Sequence, residues 1–344
     1  MVTIKDVAKL AGVSVSTASN ALNGKYGVNE KTRQRVLKAA QQLNYKPNPM
    51  AKGLVTNSTR NVGIIITGPS SFNVFTNPIF IEIIREITVS LSRKGYHAML
   101  NVIDLEEEEE YLPRIAQSRT VDGLIYLGTR KPDTELVQLI RKIEMPFIVV
   151  LRDAPDEHTV AVSVNNRKCG YDTTRYLIEM GHRRIGFIGV LPGVKLAEER
   201  FKGYRQALEE AGIPFDPSLV VEGNFYQESG AMGVRRLLRQ ASQRPTAIFC
   251  ANDMMALGAI ERLEQEGLPV PDSISLIGCD NIPNLHLMKV PLTTVAHPIS
   301  ELGRLSVEKA VGILEGSDKL PNRIILESEI RVRGSVRRLG ESEN

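Results

Sequence analysis

TIKDVAKLAGVSVSTASNALNG, residues 3–24, is the stretch on which the reading of the whole chain turns. Ile4, Val7, Ala8 and Ala11 recur at helical spacing and give one helix an apolar face, Gly12 breaks that helix, and Ser14 is placed to cap a second. Ala18, Ala21 and Leu22 carry the apolar face onward. A small residue at Ala8 lets two helices approach, Gly12 permits the tight turn between them, and Ala18 lets the second pack beneath the first, which is a helix-turn-helix. A third amphipathic helix, from Glu30 to Leu43 with apolar Val36, Leu37, Ala40 and Leu43, closes a three-helix core.

Charge says what such a unit meets. The 344 residues carry a net charge of only +3, but residues 1–60 hold 10 Lys and Arg against 2 Asp and Glu, a charge of +8, whereas the other 33 basic and 38 acidic residues leave the rest at -5. A basic helix-turn-helix joined to a mildly acidic body implies duplex DNA as the partner of the first sixty residues and a different task for the remainder. The start of the second helix offers Val15, Ser16 and Asn20 to the major groove, where Asn can bond an adenine edge and Val can meet a thymine methyl. Thr3, Ser14, Thr17, Ser19 and Tyr45 suit phosphate oxygens, which fix position and affinity and carry no sequence information. Each of these residues could instead cap a helix or touch the core.

NYKPNPMAKGLVTNST, residues 44–59, follows. Asn48 can cap and Pro49 can open a helix over residues 49–56, two turns too short to persist alone in water. Leu54 beside Lys52 on so marginal a helix needs a partner.

From residue 61 short β-branched runs alternate with helical patterns, the rhythm of an α/β fold with parallel sheets. NVGIIITG (61–68), YHAMLNVI (96–103), DGLIYLG (122–128) and FIVVL (147–151) read as strands of a first set, with helices between them. The pattern restarts with AVSVNN (161–166) and runs through RIGFIG (184–189), LVVEG (219–223), TAIFCA (246–251) and SLIGCD (275–280). Two doubly wound halves facing a cleft are expected, with a small-molecule site at the carboxyl ends of the strands. The expected organisation is a headpiece over 1–46, a hinge helix and linker over 47–59, and a core over 60–340. Within that core the first lobe takes about 60–160 plus 291–322, and the second about 161–290 plus 323–340.

Other classes fit less well. Cys169, Cys250 and Cys279 are odd in number and lack C-x-x-C spacing, which argues against a disulfide framework or zinc site and for a reducing cytosol. Neither a signal-peptide h-region nor an apolar run of membrane-spanning length occurs. The run Glu106 to Glu110 could bind a cation but reads as a solvated helix face. Five scattered histidines, His97, His158, His182, His286 and His297, without H-E-x-x-H, G-x-S-x-G or G-x-x-x-x-G-K-[ST], argue against an enzyme, and no metal or cofactor is expected. A sugar-binding transport component is the alternative reading, opposed by the helix-turn-helix and the lack of a signal peptide.

Several ordered blocks carry a resemblance: TIKDVAKLAGVS, NALN, GVNEKTRQRV, LNYKPN and MAKGL early on, then NPIFIEIIREI, VDGLI, GHRRIGFIG, ERFKGYRQAL, PTAIFCANDMMALGAI, SLIGCDN and PLTTV. Over about residues 3–335 the chain resembles the lactose-repressor (LacI/GalR) family of bacterial transcription regulators. The resemblance implies a homodimer on a pseudopalindromic operator, with paired hinge helices in the minor groove and Leu54 wedged between base pairs, where an apolar side chain can unstack a step. Gly53 fits the family's small residue there, while Val55 replaces a position that is often basic. It also implies a two-lobed core, like that of periplasmic sugar-binding proteins, closing on a small effector. Arg200, opening R-x-x-G-Y, and Asp280, in G-C-D-N, would form a clamp for hydroxyls or a carboxylate, with Arg donating and Asp accepting.

Phe80 and Phe225 match apolar wall positions, Asn165 matches a polar cleft position, and Asn252 and Asp253 lie after a strand end, although Asn165 and Asp253 could cap helices and Phe225 could be core. Where a purine-binding relative has a cleft Asp, this chain has Leu151, followed by Arg152 and Asp153. Two further polar effector contacts are replaced by Val194 and Leu196. A carbohydrate effector is therefore expected. The ending at Asn344 without leucine heptads favours a dimer over a tetramer.

Overall fold

The computed structural model describes residues 2–22, 27–45, 58–68, 74–128 and 133–340. The chain divides into two compact units, Met1–Thr59 and Arg60–Asn344.

In the first unit, α1 (Ile4–Ala11), α2 (Val15–Leu22) and α3 (Glu30–Gln42) pack mutually. Their core is built from small side chains, Val7, Ala8, Ala11, Ala18, Ala21, Val36, Ala39 and Ala40. Leu37, expected in that core, is exposed, and Ala39 takes the inward position instead. Gly12 turns the chain at φ 61°, a left-handed conformation that glycine adopts without steric cost. Of the hinge and linker proposed from sequence over residues 47–59, residues 47–57, Leu54 among them, lie outside the described residues.

The second unit contains two six-stranded sheets. The first comprises β1 (Asn61–Gly68), β2 (His97–Asp104), β3 (Gly123–Leu127), β4 (Phe147–Val150), β5 (Val160–Val164) and β11 (Arg323–Leu326), in the order β2-β1-β3-β4-β5-β11. The second comprises β6 (Ile185–Val190), β7 (Val220–Glu222), β8 (Ala247–Cys250), β9 (Ser275–Asp280), β10 (Thr293–Ala296) and β12 (Glu329–Arg331), in the order β7-β6-β8-β9-β10-β12. All pairings are parallel except β10 with β12. β1 and β9 are buried along almost their whole length, which is why they read as unbroken apolar runs.

The helices of the first lobe are α4 (Pro78–Arg93), α5 (Glu108–Gln117), α6 (Asp133–Arg141) and, late in the chain, α11 (Ile299–Leu314). Those of the second are α7 (Asn166–Glu179), α8 (Lys195–Glu210), α9 (Gln227–Gln240) and α10 (Asp253–Gln265). The late helix α11 packs on α4, and its Leu302, Val307, Ala310 and Val311 enter the first lobe's core.

The lobe boundaries expected from sequence need correction at three strands. Residues 160–164 belong to the first sheet, not the second, residues 293–296 belong to the second, and residues 323–326 belong to the first. The chain therefore crosses between lobes after β5, between β10 and α11, and between β11 and β12. β5 and β10 are β-branched and buried, which suits either sheet, and β11 is a four-residue edge strand of alternating exposure, so none of the three sequences says which partner it takes.

Candidate ligand cavity and DNA-facing helix

A cavity of about 290 Å³ lies between the two lobes at the carboxyl ends of the strands. The first lobe lines it with Thr67, Ile79, Phe80, Leu151 and Val164, and the second with Val194, Leu196, Arg200, Phe225, Asn252 and Asp280. His297, in the crossover after β10, also faces it.

Arg200 sits where it does because of two glycines. A Cβ on Gly170 would lie 1.9 Å from the Arg200 carbonyl oxygen, and one on Gly203 would lie 2.0 Å from that of Arg167, so α7 and α8 approach backbone to backbone. That approach brings Asn166, the first residue of α7, against the guanidinium. Arg200 Nε donates to Asn166 Oδ1 at 2.9 Å, Nη1 donates to the Ala251 carbonyl at 2.5 Å, and Nη2 donates to His297 Nε2 at 3.0 Å. Asp280 Oδ1 lies 3.6 Å from both Nη1 and His297 Nε2. Arg200, Asp280 and His297 are all buried.

Arginine can only donate, so His297 Nε2 must be the acceptor and Nδ1 carries the proton, which it donates to Ser328 Oγ at 2.7 Å. Burial, reinforced by the Arg200 charge and opposed by Asp280, holds His297 below the usual imidazole range, in keeping with a neutral ring. The floor of the cavity is thus a fixed guanidinium beside a carboxylate, able to donate to and accept from a polar ligand.

Backbone conformation marks the same place. Leu151 (φ 71°), Phe225 (φ 71°) and Asp280 (φ 122°) all line the cavity with positive φ, a conformation that costs free energy for residues with side chains and recurs at ligand sites.

Of the residues expected at the effector site, Phe80, Arg200, Phe225, Asn252 and Asp280 come together around this cavity. Asn252 also caps α10, accepting from the Met255 N–H, and its Nδ2 donates to the Phe225 carbonyl. Asn165 and Asp253 do not line the cavity. Asn165 caps α7 through the Lys168 N–H and donates to Glu327. Asp253, fully buried, accepts from the Ile282 N–H at 3.0 Å and the Thr294 hydroxyl at 2.5 Å. Burial, with Asp280 adding to it, pushes its carboxyl up to about 7.

Sequence reasoning passed over His297, one of five scattered histidines, and also Gln227 and Glu228, which line the cavity from the start of α9. The one available signal for His297 was its place just after PLTTV. Leu151, Val194 and Leu196, expected to replace polar effector contacts, do line the cavity.

In the first unit, Val15 is 43% exposed, Ser16 is exposed and Asn20 half-buried, all on α2. Ser14 caps α2, accepting from the Thr17 N–H at 3.1 Å, and its hydroxyl also lies 2.8 Å from those of Ser16 and Thr17. Thr3 precedes α1 and donates through both N–H and hydroxyl to Asp6, whose carboxyl these bonds hold below its usual range. Ser19 is half-buried, and Tyr45 packs against the small core.

Residues 3–48 match the family described as bacterial regulatory proteins, lacI family, and residues 174–336 match a periplasmic binding protein-like domain. The chain is 37% identical over 343 residues to the HTH-type transcriptional repressor PurR of Aliivibrio salmonicida, covering 98% of this chain and 100% of that one. A complex of the transcriptional regulator CelR with cellobiose is similar at a TM-score of 0.74 and 31% identity, over 97% of this chain and 100% of the other. The Lac repressor dimer bound to operator and an anti-inducer shares the fold at a TM-score of 0.84 and 24% identity, over 98% and 99% of the two chains.

Proposed function

The chain belongs to the lacI family of bacterial regulatory proteins, and from that premise we propose that it is a transcriptional repressor whose operator affinity is switched by a sugar or sugar derivative. One observation carries the reading. A chain with a basic helix-turn-helix also holds, between two lobes, a cavity whose buried Arg200, Asp280 and His297 are already oriented toward a polar ligand. The similar CelR complex contains cellobiose, which supports a carbohydrate here. The clamp suits hydroxyls, and Phe80, Leu151, Val194 and Leu196 supply apolar surface for the faces of a sugar ring or an attached group.

On this reading residues 1–46 form the DNA-binding headpiece, 47–59 the hinge and 60–340 the effector and dimerisation core. Val15, Ser16 and Asn20 read bases, with Leu54 as minor-groove wedge, while Thr3, Ser14, Thr17, Ser19 and Tyr45 meet phosphates. Phe80, Arg200, Phe225, Asn252 and Asp280 hold the effector, with His297 added to them. The protein is a homodimer on a two-fold operator. Met99, Leu100 and Val102, exposed on edge strand β2, together with Ile81 on α4, offer the apolar surface. The function calls for no metal, cofactor or chemical step.

A thermal-shift screen of the whole chain against sugars and sugar phosphates identifies the ligand class. Any hit is then titrated against duplex DNA selected from a random pool. A cavity ligand is expected to change duplex affinity, a coupling reciprocal between the two sites. Ligands that bind the cavity and leave duplex affinity untouched would overturn the switch. Leu54→Ala is expected to lose operator affinity on the order of 100-fold with cavity binding intact. Equal affinity in wild type and variant would remove the wedge.

A further inference from the structure

Cys169, in the first turn of α7, and Cys279, next to last in β9, lie 110 residues apart in sequence with their sulfurs 3.3 Å apart. Both are buried. Disulfide sulfurs stand about 2.05 Å apart, so closing this pair takes a movement of little more than about 1 Å.

The pair stands directly behind the ligand clamp. Cys279 Sγ is 3.4 Å from His297 Nε2, and Cys279 precedes Asp280 in the chain. Cys169 lies one turn along α7 from Asn166, which holds Arg200 Nε. Arg200, Asp280 and His297 line the cavity and the two cysteines do not, and with Cys279 Sγ 3.4 Å from His297 Nε2 the sulfurs lie one side-chain layer from it.

We propose that Cys169 and Cys279 are a modification site for hydroperoxides, closing to an intramolecular disulfide within the wall that carries the ligand clamp. The Cys169 thiolate attacks one peroxide oxygen, the O–O bond breaks, and the departing oxygen leaves as water or alcohol after taking a proton. Cys169 is then a sulfenic acid. The Cys279 sulfur attacks that of Cys169, the S–S bond forms, and hydroxide leaves as water with the proton from Cys279. Two thiols have given up two electrons and the peroxide has accepted them.

Cys169 is the attacking group because the neighbouring Cys279 thiol and the Arg200 charge favour its thiolate, whereas burial pushes the Cys279 thiol up. This inference does not depend on the regulatory reading, since it needs neither operator nor effector.

The test uses the reduced 344-residue chain without ligand, treated with hydrogen peroxide, alkylated in denaturant and digested without reductant. The expected product is a linked pair of peptides carrying Cys169 and Cys279, reversed by dithiothreitol, with Cys250 alkylated throughout. Oxidised glutathione, too bulky for the route past the clamp, is expected to form the link at least about tenfold more slowly. Cys250→Ser should still form it. In Cys279→Ser, Cys169 should accumulate as a sulfenic acid, trapped by dimedone added together with the denaturant. Recovery of both thiols reduced, a link to Cys250, sulfonic acids in place of the link, or equal rates with the two oxidants would overturn the site as proposed.

Discussion

The headpiece and the body hold their polar groups in opposite ways. In the three-helix unit the core is mostly alanine, and Thr3, Ser14 and Ser16 lie at the surface with local hydrogen bonds. In the body, Arg200, Asp280 and His297 are buried beneath the cavity and held by one another and by Asn166, Ala251 and Ser328. A surface that meets a polyanion can leave its groups in water, because long-range charge does much of the binding. A site for a small polar ligand must fix its donors and acceptors beforehand, since a handful of bonds has to outweigh desolvation.

Salt should separate the two regions most strongly. Each phosphate neutralised by the +8 segment releases counterion, so operator affinity is expected to fall on the order of 1,000-fold between about 50 and 200 mM salt. Binding of a neutral sugar in the cavity should move by less than about twofold, because buried groups are weakly screened. Isothermal titration of both ligands across that range checks the contrast. Similar slopes would break it.

Removing the clamp's fixed charge should affect one region only. Arg200→Met leaves Asp280 buried opposite an apolar side chain and takes away three directed donors. Cavity-ligand affinity should fall on the order of 100-fold. Operator affinity without ligand should stay within about threefold, as the headpiece is a separate unit. Parallel loss of both would mean that the headpiece contrast is wrong.

How far the sequence carries follows the same division. Helix-turn-helix spacing is local, so Ile4, Val7, Ala8 and Ala11 with Gly12 specify α1 and its turn almost residue by residue. Arg200 and Asp280 were legible through R-x-x-G-Y and G-C-D-N. The crossovers were not, because β5, β10 and β11 choose their sheets through contacts far away in sequence. His297 was hidden for the same reason: its role comes from Arg200 on α8 and Ser328 between β11 and β12. Asn165 and Asp253 show the converse, polar residues next to strand ends whose partners turn out to be backbone, hydroxyl and carboxylate groups of the protein itself.

Gly170→Ala sharpens the account of how the clamp is placed. The added methyl would meet the Arg200 carbonyl at 1.9 Å, so α7 and α8 must separate. We expect the body to lose about 1–3 kcal/mol of stability. Ligand affinity should fall with it, since Asn166 retreats from Arg200. Calorimetry should show the body's transition lowered. A variant as stable as the wild type with full ligand affinity would show that the close approach is not what seats the arginine.

The smallest effect, a pH dependence, tests whether the buried site is fixed in one protonation state. His297 faces Arg200 from α8, Cys279 and Asp280 from β9, and Ser328 from the last crossover. Its imidazole is held below the ordinary value of 6.5, so between its folded pKa and 6.5 the unfolded chain binds more protons than the folded one. The stability it contributes is complete above 6.5 and is lost as pH falls. Protonation would also turn a second N–H toward Arg200 and break that hydrogen bond, so ligand affinity should decline on acidification by up to about tenfold per pKa unit of differential binding.

Asp253 acts in the opposite direction. With its carboxyl pushed up to about 7, it favours the folded state at low pH, and that contribution is lost as pH rises through 7. Wild-type stability between pH 5 and 8, on the order of the usual working range, is therefore expected to be flatter than either group alone would make it. His297→Gln can still accept from Arg200 and donate to Ser328 without titrating. It should remove the acid loss of ligand affinity and leave stability falling as pH rises. If melting curves of the variant and the wild type kept the same pH dependence, His297 would not be the titrating member of the clamp.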